Sequence, residues 1–430
     1  MESSIALNRD IFTRALHVLP GGVSSPIRSW KELPLSPFVP ARGKGAQLVD
    51  IEGKIYIDYC MSFGALILGH AHPKPSLAAA GALMRGSTYG LTTATEVQLA
   101  EFIVKHTFCE QVRFVSSGTE ALSTIIRIAR GVTKRPLVVK FEGNYHGHID
   151  ALLLEAGSYA SELTATPSAG ITRSSVCDTI ALPYNDEEAA CRVFSSPELA
   201  SRIALVLIEP VAGNMGVVPA KLSFLEYLRK QTRTIGALLC FDEVISGFRV
   251  HPQGASGLYG VIPDLVAYGK IVGGGFPAAC VGGSKTIMEE LAPLGEVFQA
   301  GTLSGNPVAL AAGAATLQEI FQPGTYEKLE AKTAFLLDPI ERILQDTPHS
   351  LVRVGSMFSL FFYEKYPRKK PAFLPKSRTA FAQFFQELLQ EGIYFSPALT
   401  ESQFVSMAHT EQDLLKTRDV LIEALSRLDV

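Results

Sequence analysis

The sequence predicts an α/β fold: a large domain on a mainly parallel central sheet, with a smaller α+β domain assembled from both chain ends. Three observations predict it. Short, near-continuous apolar runs (Val112–Val115, Leu137–Phe141, Ala204–Ile208, Ala237–Phe241 and Leu265–Tyr268) alternate with helical segments such as Glu120–Arg130 and Leu222–Thr232. Strands covered on both faces read this way. The 36 glycines and 25 prolines follow no period and form no linker, so they punctuate short elements. At 430 residues, 47% hydrophobic and 19% charged, the chain can bury a large core and is too apolar for disorder.

In chain order, Ile5–Leu19 reads as a helix stopped by Pro20-Gly21-Gly22. Val23–Pro40 is Pro-rich and irregular. Ala46–Ile51 and Lys54–Tyr59 alternate around Glu52-Gly53, a hairpin pattern. The strand–helix alternation begins near residue 67. Beyond residue 307 the chain reads as helix Pro307–Phe321, strand Ser350–Tyr363 and helix Ala380–Glu391. The expected division is an N-terminal part of the small domain over residues 1–66, a large domain over 67–307, and the remainder of the small domain over 308–430.

Net charge is −3 and the basic residues are scattered, which leaves no footprint for nucleic acid. Cys60, Cys109, Cys177, Cys191, Cys240 and Cys280 form no CxxC pair and sit mostly in apolar runs, so reduced, buried thiols are expected. The first residues lack the plan of a secretion signal, and no apolar run reaches the ~18 residues of a membrane span. A cytoplasmic protein without membrane contact is expected.

In open parallel sheets, ligands bind beyond the carboxyl ends of the strands. Here those ends are followed by Ser116-Ser117-Gly118-Thr119-Glu120, by Glu142-Gly143-Asn144-Tyr145-His146-Gly147, by Glu209-Pro210, by Asp242-Glu243-Val244 and by Gly269-Lys270. Ser117 and Glu120 have capping-box spacing. Small residues at a helix start offer amides to an anion, although an ordinary helix start looks the same. Lys270 is the only charged residue between Asp264 and Lys285. Desolvation there would favour the neutral amine that a Schiff base needs, while a snorkelling surface lysine reads equally well. Asp242 ends a buried run, where a carboxylate needs a partner or a task; a pyridinium nitrogen, a helix cap or a salt bridge would each serve. Tyr145 could stack on a ring or belong to the core. Together, phosphate cup, stacking ring, strand-end Asp and strand-end Lys follow the order of a pyridoxal 5′-phosphate site of fold type I.

Other motifs carry less. Gly273-Gly274-Gly275-Phe276-Pro277-Ala278 fits GxGxxA, but Pro277 spoils the helix a dinucleotide needs. His70/His72 and His146/His148 lack a third ligand, so no metal is expected. Ser62 fails the nucleophile-elbow pattern, and no GxxxxGK[ST] occurs.

Longer segments carry a family resemblance. They include Pro20-Gly21-Gly22-Val23, Ser25-Pro26-Ile27-Arg28, Ile67-Leu68-Gly69-His70, Phe241-Asp242-Glu243-Val244, Ala300-Gly301-Thr302-Leu303-Ser304-Gly305-Asn306-Pro307 and Ser406-Met407-Ala408-His409. From about Leu16 to His409 the chain resembles the class-III (ω-) aminotransferases. The Pro-Gly-Gly-Val opening and the Gly-Thr-Leu-Ser-Gly-Asn-Pro form resemble the branch that isomerises glutamate-1-semialdehyde to 5-aminolevulinate in tetrapyrrole synthesis. The resemblance implies pyridoxal 5′-phosphate and its pyridoxamine form as cofactor, and a homodimer. It implies Lys270 as Schiff-base lysine and proton shuttle, and Asp242 as pyridinium partner. Ser117, Gly118 and Thr119 would bind phosphate, Tyr145 and Val244 the two ring faces, and Asn214 would lie near the ring hydroxyl. Thr302 would reach the phosphate of the neighbouring subunit. Arg28 would hold the substrate carboxylate, with Ser25 and Glu401 facing its amino groups. A lid over roughly residues 157–170 would retain the intermediate. Departures are Phe63-Gly64-Ala65 in place of Trp-Gly-Pro, Ser24 in place of Asn, and Tyr159 in place of a second glycine. The competing expectations are an ω-aminotransferase with a separate keto-acid acceptor, and a non-catalytic cofactor-binding regulator.

Overall fold

The computed structural model describes residues 5–155 and 168–428. The chain divides into two compact units. One comprises residues 1–72, 327–367 and 371–430, and the other residues 73–326 and 368–370. The second break falls after Tyr326, one helix later than the expected 307. The expected lid falls mostly on residues 157–167, which lie outside the described residues, as does Tyr159.

The second unit is built on a seven-stranded sheet. In chain order its strands are β1 (Gln111–Val115), β2 (Leu137–Phe141), β3 (Thr179–Leu182), β4 (Ile203–Ile208), β5 (Leu238–Glu243), β6 (Leu265–Tyr268) and β7 (Ala279–Gly283). Their spatial order is β1-β7-β6-β5-β4-β2-β3. Pairs β6/β5, β5/β4, β4/β2 and β2/β3 are parallel, whereas β7 runs antiparallel to both β6 and β1. All six residues of β4 are fully buried, as its unbroken apolar run requires. The helix Gly118–Thr133 presents Leu122, Ile125, Ile128 and Ala129 on one face, and these pack with Val138, Leu205 and Ala267 of the strands. The five expected strands are present to within two residues at each end. β7 and β3 were not expected. Ala-Cys-Val-Gly-Gly of β7 is short and glycine-rich, and its pairing is set by the neighbours rather than by its own propensity.

The first unit is α+β. Its four-stranded sheet runs Pro40–Lys44, Gln47–Asp50, Ile55–Asp58 and Ile393–Tyr394, so segments from both chain ends share one sheet. The Asp50 carboxylate accepts the amides of Glu52 and Lys54 and closes the hairpin turn, while Gly53 supplies the left-handed residue (φ 87°). The expected strand Ser350–Tyr363 is instead a hairpin, Ser350–Val354 and Met357–Phe361, turned at Gly355 (φ 53°). Trp30, buried, packs edge-on to Phe385 at 5.2 Å between ring centroids.

Cys60, Cys109, Cys240 and Cys280 are free and buried, as expected. Cys177 and Cys191 are exposed, because their short helices lie at the surface. Among the described residues, no helix is long and apolar enough to cross a membrane.

Candidate active site

The candidate site forms where the loops after β1, β2, β4, β5 and β6 meet in the second unit. The first turn of Gly118–Thr133 is capped by Ser117, whose hydroxyl accepts the Glu120 amide at 3.2 Å; Glu120 in turn accepts the Ser116 amide at 2.8 Å. Gly118 and Thr119 begin the helix, so their amides have no intrahelical acceptor. The helix dipole adds positive potential at that point.

Three close approaches lock the loops together. A Cβ on Gly118 would lie 3.1 Å from Val244, and one on Gly269 would lie 3.1 Å from the same side chain. Half-buried Val244 is thus flanked by the helix start and by the segment before Lys270. A Cβ on Gly147 (φ 76°) would lie 2.8 Å from Cα of Thr119, so the loop after β2 and the helix start need glycine at that contact.

Consecutive residues of a strand face opposite ways. At the end of β5 this separates two acids. Glu243 is spent on structure: its carboxylate accepts the Ala255 amide at 2.6 Å and the Ser246 hydroxyl at 3.3 Å. Asp242 faces the loop after β2. His146 Nδ1 lies 2.7 Å from Asp242 Oδ2, and Oδ1 accepts the Val244 amide at 3.1 Å. Burial holds His146 neutral, down to about 3, with the charge of Lys140 adding to the effect. A neutral imidazole facing a carboxylate oxygen donates its Nδ1–H. Burial also pushes Asp242 up, and the Val244 amide and the charge of Lys270 pull it back.

Lys270 opens a short 3₁₀ turn, Lys270–Gly273, with φ 47°. A non-glycine residue in the left-handed region is strained by roughly 1–2 kcal/mol, and such strain concentrates at functional sites.

On the other side of Asp242 lies Glu209, which follows β4. Its Oε1 accepts the Tyr145 amide at 2.7 Å, and its Oε2 accepts the Gly213 amide and the Asn214 side chain, each at 3.1 Å. Beneath the loop, Lys140 is fully buried and donates to the carbonyls of Asn144, Leu152 and Leu154 at 2.8–3.1 Å.

The structure therefore brings Ser117, Gly118, Thr119, Tyr145, Asn214, Asp242, Val244 and Lys270 onto interlocked loops of one unit. Thr302 belongs to the same unit but is exposed, and no hydrogen bond among the described residues joins it to that cluster. Ser25, Arg28 and Glu401 belong to the other unit. Arg28 is exposed on the short 3₁₀ turn Pro26–Ser29, Ser25 is half-buried and Glu401 is buried. Phe63 lies there too, in a run of three left-handed residues, Met61, Ser62 and Phe63 (φ 44–55°), whose entry is tied by the Asp58 carboxylate to the Cys60 and Met61 amides.

Sequence reasoning missed His146, Glu209 and Lys140 as site-building residues. Glu209 could have been found, since a carboxylate directly after an all-apolar strand must be satisfied. His146 was weighed only as a metal ligand. Lys140, the fourth of the five residues of β2, is a lone charge in an apolar strand, and the same rule applies to it as to Glu209.

The aminotransferase class-III family model matches residues 30–421. A protein of Protochlamydia amoebophila named glutamate-1-semialdehyde 2,1-aminomutase is 46% identical, the match covering 97% of this chain and 98% of that one. Among solved structures, an omega-transaminase from Sphaerobacter thermophilus superposes with a TM-score of 0.90 at 32% identity, covering 99% of this chain and 98% of that one. A glutamate-1-semialdehyde aminomutase from Pseudomonas aeruginosa superposes with a TM-score of 0.85 at 25% identity, over 98% and 94% of the two chains. A variant of that enzyme was solved in complex with PMP.

Proposed function

We propose, since the chain belongs to the class-III aminotransferases, that it moves an amino group within glutamate-1-semialdehyde to give 5-aminolevulinate for tetrapyrrole synthesis, using pyridoxal 5′-phosphate and its pyridoxamine form. The observation that carries this reading is the 46% identity, over nearly the whole of both chains, to a relative named for that reaction. The strand-end cluster suits the cofactor. A phosphate matches the unspent amides of the helix start at Gly118. A protonated ring nitrogen matches Asp242, a buried carboxylate whose charge burial disfavours.

Bound there, the cofactor supplies a carbonyl that accepts amines and a sink for negative charge on the adjacent carbon. Ser117, Gly118 and Thr119 would hold its phosphate. Tyr145 and Val244 would cover the ring, and Asn214 would lie near the ring hydroxyl. Asp242 would keep the ring nitrogen protonated. Lys270 Nζ would bond the cofactor and carry a proton to and from each amine-bearing carbon of the substrate. Arg28 would pair with the substrate carboxylate through its planar fork, with Ser25 and Glu401 facing the amino groups. A homodimer forms part of this reading. Exposed Phe298 and Leu303, at 69% and 56% accessibility, lie in the same segment as Thr302, and apolar exposure of that kind suits a partner surface. We place the enzyme in the cytoplasm, in keeping with its free thiols.

The similarity to an omega-transaminase favours a second reading, transfer to a separate keto acid. Stoichiometry separates the two. An aminomutase gives and recovers one nitrogen equivalent within one carbon skeleton, so glutamate-1-semialdehyde alone should yield 5-aminolevulinate over many turnovers. Product that forms only when a keto acid or amino acid is supplied selects the second reading. In the same assay Arg28→Ala should weaken substrate binding by roughly 30-fold or more while cofactor affinity stays unchanged. An unchanged KM would remove Arg28 from the substrate site.

A further inference from the structure

We infer that Glu209 is a positioning residue that fixes the ring-stacking Tyr145 and the ring-hydroxyl contact Asn214 in one register before the cofactor arrives. The inference rests on the cofactor roles given above to Tyr145 and Asn214. Three donors converge on one side chain: the Tyr145 amide at 2.7 Å, the Gly213 amide at 3.1 Å and the Asn214 Nδ2 at 3.1 Å. The tie is reciprocal, because the Asn144 side-chain oxygen accepts the Glu209 amide at 2.9 Å, and the Tyr184 hydroxyl donates to the Glu209 carbonyl at 2.8 Å. Glu209 is 3% exposed, so these bonds are shielded from water.

The chemistry explains why a glutamate stands at this position. An ionised carboxylate is acceptor-only, and two oxygens can serve three N–H donors. Glutamine has one acceptor oxygen and brings two further donors. Whichever way its amide turned, a donor would face a donor, at Tyr145 or at the Gly213–Asn214 pair. Burial and the negative charge of Asp242 both oppose ionisation of Glu209. The Tyr145 and Gly213 amides act the other way and favour the ionised form.

The test is Glu209→Gln in the full-length protein, compared with wild type. Apoprotein is titrated with pyridoxal 5′-phosphate, the circular dichroism of the bound cofactor is recorded, and the apoprotein melting temperature is measured. The dissociation constant should rise about tenfold or more, since relief of the buried donor–donor clash turns Tyr145 and Asn214 out of the register the ring needs. The cofactor dichroism should fall as the ring loses its fixed stacking partner. The apoprotein Tm should move by only a few degrees, and at saturating cofactor the substrate KM should stay near wild type. Wild-type cofactor affinity and dichroism in the variant would overturn the inference and leave the function intact. Failure of the wild-type protein to bind pyridoxal 5′-phosphate would overturn the function itself, and this inference with it. If the variant does not fold, amide hydrogen exchange of wild-type apoprotein decides. Protected Tyr145 and Gly213 amides support the assignment, and freely exchanging ones overturn it.

Discussion

Lys270→Ala should retain bound cofactor and lose more than about a thousandfold in turnover, because one side chain serves as both covalent anchor and proton carrier. The fold should survive. Position 270 is strained for any residue bearing a Cβ, so alanine adds no new backbone penalty at φ 47°. Non-covalent affinity should persist through the helix start at Gly118 and through Asp242. Borohydride reduction of the wild-type aldehyde form should leave the cofactor on the peptide that contains Lys270. The experiment discriminates because the chain holds a second candidate amine. Burial lowers Lys140 to about 7, a value that would suit a nucleophile at neutral pH. Geometry rejects it: its ammonium is fully buried and donates to three backbone carbonyls. Label on Lys140, or near-normal turnover in Lys270→Ala, would remove the central assignment.

What the sequence could show follows from the range of the interactions involved. The buried parallel strands announced themselves as apolar runs, because a strand covered on both faces has no polar side. β4 and β6 were therefore legible almost to the residue. β7 was not, since an antiparallel strand of Ala-Cys-Val-Gly-Gly takes its place from β1 and β6 on either side. In the site, Ser117, Gly118, Thr119, Tyr145, Asp242 and Lys270 sit at or just beyond strand ends and could be read from their order, whereas Asn214, Val244 and Thr302 rested on the family resemblance. The residues that hold them, His146 against Asp242 and Glu209 against Tyr145 and Asn214, could not. Their partners lie 64 to 96 positions away for the longer contacts, and nothing local in sequence encodes such a pairing. Strand alternation puts Asp242 and Glu243 on opposite sides of the sheet, and only Asp242 meets the loop after β2.

Asp242→Asn should fold as well as the wild type and lose about a hundredfold or more in turnover. The structural half of the argument starts from burial. Asp242 is 5% exposed and its carboxylate is pushed up by burial, so its charge costs stability and a neutral isostere of equal size removes that cost. Asparagine can keep the acceptor for the Val244 amide. Its NH₂ would then face His146 Nδ1, and the imidazole can take the other tautomer and accept. The apoprotein Tm should therefore stay within a few degrees, because the proton moved to buried His146 Nε2 finds no acceptor and offsets part of that gain. The chemical half runs the other way. An amide carries no charge to hold a proton on the ring nitrogen, so the carbon that loses its proton has a weaker electron sink and the barrier rises. His146 cannot substitute, because burial keeps it neutral near pH 7 and its Nδ1 is already committed to residue 242. The measurement is kcat and apoprotein Tm on the same preparation. Stability held with turnover collapsed is the signature of a carboxylate kept for chemistry. Turnover near wild type would make Asp242 a structural partner of His146 and nothing more.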